Sequence, residues 1–125
     1  MHALRLKRVY APAENEDGLR VLVDRLWPRG LSKEKAAIDH WAKDAAPSDG
    51  LRRWFAHRPE RWDEFRARYE RELEAPEAQA EVATIRRFLR ESRVTLLYAA
   101  HDEDMNNAVA LRALLRTPTR ARTRT

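Results

Sequence analysis

The chain has 125 residues and a mass of 14.7 kDa, enough for one ordinary domain with a real core and too little for two. It contains no cysteine, which excludes disulfides, thiolate metal sites and a thiol nucleophile and fits an intracellular, cytoplasmic protein. Lys plus Arg number 25 against 20 Asp plus Glu, with a pI of about 10.1, but Arg120, Arg122 and Arg124 all sit in the Thr/Arg segment 117–125; without them the balance is 22 against 20 and the body is nearly neutral.

Leu4 to Tyr10 alternates apolar and basic residues, which predicts a strand with one wet face and leaves its direction open. Pro12 and the polar run Glu14 to Gly18 form a loop, and Leu19 to Val23 follows as a short, nearly continuous apolar strand of the kind covered on both faces. Ser32 is placed to cap a helix running through Ile38 and Trp41, and Ser48, after Pro47, to cap a second carrying Leu51, Trp54 and Phe55. From Trp62 the apolar positions Trp62, Phe65, Tyr69 and Leu73 recur at helical spacing, with opposite charges four apart at Glu64 and Arg68, Arg66 and Glu70, and Arg68 and Glu72. Pro76 starts a further helix with Val82, Ile85 and Leu89 on one side. Val94 to Ala100 is a third apolar strand, and a last helix from about Met105 buries Ala108, Leu111 and Leu115 and ends before Pro118.

This order predicts a single α/β domain over residues 1–116, with a small sheet of about three strands, at least partly parallel, and several packed helices. Residues 117–125 form a basic tail without the apolar surface to offset its ordering entropy, and are expected to be disordered. No apolar run approaches the roughly 18 to 20 residues of a spanning helix, and the N-terminus lacks the apolar core of a signal peptide, so no membrane partner is expected.

Two of the apolar strands stop at charge. The second runs into Asp24, Arg25, Trp27, Pro28, Arg29 and Gly30; the third into His101, Asp102, Glu103 and Asp104. If these strands are parallel neighbours their exits share one edge, and open α/β sheets bind ligands outside the carboxyl ends of their strands. Asp24 and Arg25 leave an extended strand on opposite faces, so that one can pin the fold by an internal ion pair while the other meets a ligand. Arg29 before Gly30 offers a planar fork suited to phosphate or carboxylate. Trp27 is either a flat wall for a ligand or a core side chain. Asp102 suits a helix cap; Asn106 can orient a ligand, or bond back to Asp24 and tie two loops together. Ser48 reads as a cap, since no nucleophile elbow surrounds it, and His57 as a cation at a helix end. No phosphate-binding glycine motif is present, no metal-ligand spacing is recognisable around His101, and no cofactor is implied.

The strings Val21 to Gly30, then Ala46-Pro47-Ser48 with Leu51-Arg52 and Trp54-Phe55, then Trp62, Phe65 and Tyr69, then Thr95 to Ala100 with Asp102 and Asn106, closely resemble the YeaO-like branch of the domain of unknown function 488 family. The resemblance covers nearly everything but the tail. It implies a bacterial α/β domain of about this length and names no reaction. The family's characteristic polar positions fall on Asp24, Arg25, Arg29, Ser48, Arg52, Asp102 and Asn106. Where the family often carries His this chain has Met105, which removes any role that imidazole would play.

Three function classes follow. The first is a binding protein whose pocket takes an anionic or nucleotide-like small molecule, with Arg25, Arg29 and Arg52 on the anion, Asp24 and Asn106 orienting it and Trp27 as a wall. The second is an enzyme using Asp24 or Asp102 as general base. The third is a nucleic-acid or partner-binding module working through the basic tail, which predicts a steep salt dependence that disappears with residues 117–125.

Overall fold

Four runs pair into one all-parallel sheet: β1 (Leu4–Arg8), β2 (Leu19–Leu22), β3 (His40–Trp41) and β4 (Val94–Tyr98), side by side in the order β1, β4, β2, β3. The structure, a computed structural model, describes residues 2–116; the tail 117–125 lies outside the described residues. β4 lies between β1 and β2, with Leu6 opposite Leu96 on one side and Leu22 opposite Leu97 on the other. The first strand is therefore parallel, and all strand exits lie on one edge.

Among the described residues five α-helices accompany the sheet: α1 (Lys33–Ala36), α2 (Asp49–Phe55), α3 (Trp62–Glu72), α4 (Pro76–Glu91) and α5 (Asn107–Arg116). The sheet's side chains sort by the two-residue period of a strand. Val21, Val23, Val94, Leu96 and Tyr98 pack on one face against Phe65, Tyr69, Val82, Ile85, Leu89 and Leu111 from α3, α4 and α5. Leu22 and Leu97 point to the other face, where Val9, Trp27, Leu31, Ile38 and Trp41 cover them. Both leucines are fully buried, each contributing roughly 1.5–3 kcal/mol of transfer free energy.

The segment after Ser32 corrects the expectation of a long helix. Ser32 Oγ does accept from the Lys35 amide, but the helix stops at Ala36 because Ala37 turns left-handed at φ 49°. The chain then zips onto the open edge of β2. Asp39 N donates to Arg20 O at 2.8 Å, Arg20 N donates to Asp39 Oδ2 at 2.9 Å, and Ala42 N donates to Leu22 O at 2.8 Å. His40–Trp41 becomes the fourth strand because the outer edge of β2 presents backbone groups that need partners, a demand that outweighs the helical spacing of Ile38 and Trp41.

The charge pairing on α3 also differs in part. Arg68 pairs with Glu64 as the spacing predicts, but Arg66 takes Asp63, and Glu72 turns to Ser48. Around β2, Arg20 is buried and spends its guanidinium inside the protein: Nη1 on Asp17 Oδ2 at 2.7 Å, Nε on Ala37 O at 3.0 Å and Nη2 on Ala36 O at 2.8 Å. Lys7 Nζ reaches the same Asp17 at 3.1 Å, and Thr95 Oγ1 donates to Asp17 O at 2.7 Å. This satisfied network fastens the Glu14 to Gly18 loop across the amino ends of β2 and β4. Among the described residues no helix is long and apolar enough to cross a membrane.

Candidate functional site

Because β1, β2 and β4 are parallel neighbours, Tyr10, Asp24 and Ala99 to His101 emerge at the same edge of the sheet. They border a cleft of about 640 Å³, closed on its far side by the carboxyl end of α2 and by Phe65 of α3. That volume is within the usual range for a small-molecule site. The sequence-predicted residues Asp24, Arg25, Trp27, Arg29, Arg52 and Asn106 all line it. Ser48 and Asp102 do not.

Several of these side chains are committed to the fold. Asp24 Oδ2 accepts from the Ala99 amide at 2.9 Å and Oδ1 from Asn107 Nδ2 at 3.1 Å, while its backbone oxygen accepts from Trp41 Nε1 at 2.7 Å. Burial raises the Asp24 pKa, against the bonds from Asn107 and Ala99 and the charge of Arg52, which lower it. Arg25 donates from Nε to Pro47 O and from Nη2 to Ala46 O, each at 3.1 Å. Tyr69 donates to Ala45 O at 2.5 Å, so the segment before α2 is held from both directions. The internal partner of Arg25 is thus a pair of carbonyls, with no ion pair to Asp24 needed.

Trp27 donates Nε1 to Leu31 O at 2.8 Å and meets Trp41 edge to face at 5.5 Å between centroids, joining the core while part of it borders the cleft. Ser48 is a cap: its Oγ accepts from Leu51 N at 3.1 Å and donates to Glu72 Oε2 at 2.5 Å, and its amide donates to Glu72 Oε1 at 2.8 Å. Asp102 accepts from the amides of Asp104 and Met105 at 2.8 and 3.0 Å, and these bonds hold its carboxyl below the usual range.

The predicted tie between Asn106 and Asp24 shifts by one residue. Asn106 is buried and caps α5, taking the Val109 amide on Oδ1 at 2.9 Å and donating Nδ2 to Asp102 O at 2.8 Å. Asn107, first residue of the helix, makes the crossing, with Nδ2 on Val23 O at 2.8 Å as well as on Asp24. One position along a helix is a rotation of about 100°, which separates an inward cap from a side chain facing β2.

What remains available in the cleft is cationic and apolar. Arg29 is exposed, and its guanidinium makes no hydrogen bond or ion pair among the described residues; only its backbone oxygen is engaged, by the Tyr10 hydroxyl at 2.9 Å. Arg52 pairs with Asp49 at 3.2 Å in an exposed setting, where such a pair contributes little. Arg53 is exposed beside it, and His57 and His101 complete the polar lining. Phe55 and Phe65, stacked at 4.5 Å, form the floor.

Ala56 and His57, both lining the cleft, are left-handed at φ 47° and 57°. Such non-glycine conformations cost about 1 kcal/mol or more each. The turn is held by the Ala56 amide on Arg52 O and the Arg58 amide on Phe55 O. Tyr10, Arg53 and Asn107 are not singled out by the sequence. Tyr10 enters only once β1 proves parallel, and Arg53 and Asn107 each sit beside a residue the sequence did single out. Among the described residues no group of three or more His, Asp or Glu side chains is arranged to hold a metal ion.

The comparisons with known proteins agree with the resemblance. The family model described as the inactive DUF488-N3 subclade matches residues 3–125. An uncharacterized protein of Mycobacterium tuberculosis (strain ATCC 25618 / H37Rv) is 43% identical over 112 residues, 90% of this chain and 92% of the relative. The uncharacterized protein YeaO of Escherichia coli (strain K12) is 40% identical over 114 residues, 91% of this chain and 97% of its own. No solved structure matches the chain. With matches of this extent to the subclade and to YeaO, the chain belongs to the DUF488 family as a YeaO-like member.

Proposed function

We propose that this protein is a cytoplasmic binding protein that captures an anionic ligand, such as a phosphate-bearing or nucleotide-like molecule, in the cleft at the carboxyl ends of β1, β2 and β4. The observation that carries the reading is the division of labour among the cleft's charges. Its carboxylate, Asp24, accepts from Ala99 on one oxygen and from Asn107 on the other, whereas Arg29 is exposed with a guanidinium that has no hydrogen-bond or ion-pair partner among the described residues, and Arg52 and Arg53 stand on the α2 wall. A guanidinium fork recognises phosphate or carboxylate in two parallel hydrogen bonds, and a cleft that excludes part of the water strengthens them. Asn106 and Asn107 bring the amino end of α5 to the same cavity, adding a favourable dipole for an anion. Asp24, Arg25, Ser48 and Asn106 act in this reading as the frame that fixes the arginine-bearing walls.

A second reading makes Asp24 a general base. Burial raises its pKa in the direction that role requires. Against it stand the two hydrogen bonds that occupy its oxygens, and a subclade described as inactive.

The test is a titration of the 15N-labelled protein with inorganic phosphate and, separately, adenosine monophosphate, following backbone amides and arginine Nε resonances. The expected result is saturable shifts at Arg29, Arg52 and Arg53 that weaken at least tenfold in Arg29→Glu. Shifts that map elsewhere, or none at millimolar ligand, would overturn the proposal. A turnover of phosphate esters lost in Asp24→Asn would favour the general base instead.

A further inference from the structure

The apolar surface of this protein is distributed unevenly. Among the described residues, only two large hydrophobic side chains are exposed, Leu26 at 58% and Tyr10 at 40%, and both line the arginine-bearing cleft. They come from different strand exits, after β2 and after β1, so their presence in one cleft is a product of the fold. Scattered exposed apolar residues need no explanation, but apolar surface gathered at a polar-rimmed cleft marks a contact site. Tyr10 is also fixed in place. Its hydroxyl donates to Arg29 O, and the Arg8 guanidinium lies over its ring at 5.0 Å, so ordering it on binding costs little.

A free phosphate fills the arginines and leaves Leu26 in water. A nucleic-acid strand meets the cations and can lay a base on Tyr10, but Leu26 has no π face on which the next base can stack. The side chains of the chain's own segment 117–125 carry the same sign of charge as Arg29, Arg52 and Arg53 and offer them no counter-charge. An acidic polypeptide segment with an apolar side chain beside its carboxylate satisfies both surfaces at once.

We propose that the cleft docks an acidic peptide segment of a partner protein. An Asp or Glu carboxylate enters between Arg29 and the Arg52–Arg53 wall, and a neighbouring Leu, Met or aromatic side chain covers Leu26 and Tyr10. This rests on the reading of the cleft as an anion site and names the macromolecule that supplies the anion.

The experiment is selection of a displayed random heptapeptide library on the full chain, followed by titration of synthetic selected peptides. The expected consensus is an acidic residue within two positions of a large apolar one. Such a peptide shifts the Tyr10, Leu26 and Arg29 resonances and loses at least tenfold affinity against Leu26→Ser, an exposed substitution whose unchanged spectrum shows that folding is retained. Peptides that are acidic without an apolar neighbour, or that bind Leu26→Ser as tightly as wild type, overturn the proposal. So does an oligothymidylate that binds this rim more tightly than the selected peptides. If the library yields nothing while phosphate still shifts Arg29, the peptide proposal fails and the anion site stands. If neither phosphate nor peptide acts at the cleft, both fail.

Discussion

The side chains of Asp24 and Asn107, 83 residues apart in sequence, meet at 3.1 Å and lock the exit of β2 to the first turn of α5. With the Ala99 amide on the other oxygen of Asp24, this contact ties the two strand exits that frame the cleft. Asp24→Ala leaves the Ala99 amide without its acceptor and should destabilise the protein by about 2 kcal/mol. The pH dependence has a defined sign. The folded pKa of Asp24 is raised, so the stability linked to its protonation is complete at low pH and is lost as pH rises through that value. Urea unfolding should therefore show a wider gap between wild type and Asp24→Ala at about pH 3 than at about pH 7.

Asp17 should behave in the opposite way. Burial would raise its pKa, but the Glu14 amide, Lys7 and Arg20 together hold it below the ordinary value. Its contribution is present at neutral pH and fades as pH falls through the depressed pKa. Asp17→Asn strands the buried Arg20 guanidinium and should cost about 3 kcal/mol near neutrality. The difference from wild type should shrink on acidification, and calorimetry across the acid range reads it directly.

Ser48 is expected to act through structure and not through chemistry. Ser48→Ala removes the acceptor for the Leu51 amide and the hydroxyl that Glu72 holds, which should cost about 1–2 kcal/mol. A ligand titration at the cleft should keep its affinity within about threefold once measured well below the melting temperature, because a loss of that size leaves most molecules folded.

Gly18 and Gly30 make a matched pair. Both are left-handed, at φ 66° and 82°, but a Cβ on Gly18 would fall on the backbone carbonyl of Arg93, whereas one on Gly30 meets open space. The Arg93 carbonyl cannot retreat, because it accepts the Leu19 amide at 2.9 Å where β2 and β4 begin to pair. Gly18→Ala should cost on the order of 3 kcal/mol or more. Gly30→Ala should cost only the left-handed penalty, about 1–2 kcal/mol. Equal losses in thermal unfolding would show that the Arg93 contact is not the cause.

By itself the sequence determined the strands ending near Val23 and Ala100, the cap at Ser48, the helix start at Pro76, the helix from Trp62 and the charge at two strand exits. Each is local: a two-residue or 3.6-residue apolar period and a terminal cap are readable without knowing any neighbour. The family strings, being local too, were legible in the same way. Tertiary structure alone decided that β4 inserts between β1 and β2, and so that Tyr10 joins Asp24 and Ala99 at one cleft. It turned His40–Trp41 from helix to strand, because the open edge of β2 required backbone partners. It also gave Asp24 to Asn107 and Arg25 to the carbonyls of Ala46 and Pro47, leaving Arg29 exposed and its guanidinium without a hydrogen-bond or ion-pair partner among the described residues. Which polar groups are spent on the fold and which stay available depends on distances between chain segments far apart in sequence, and no local period carries that information.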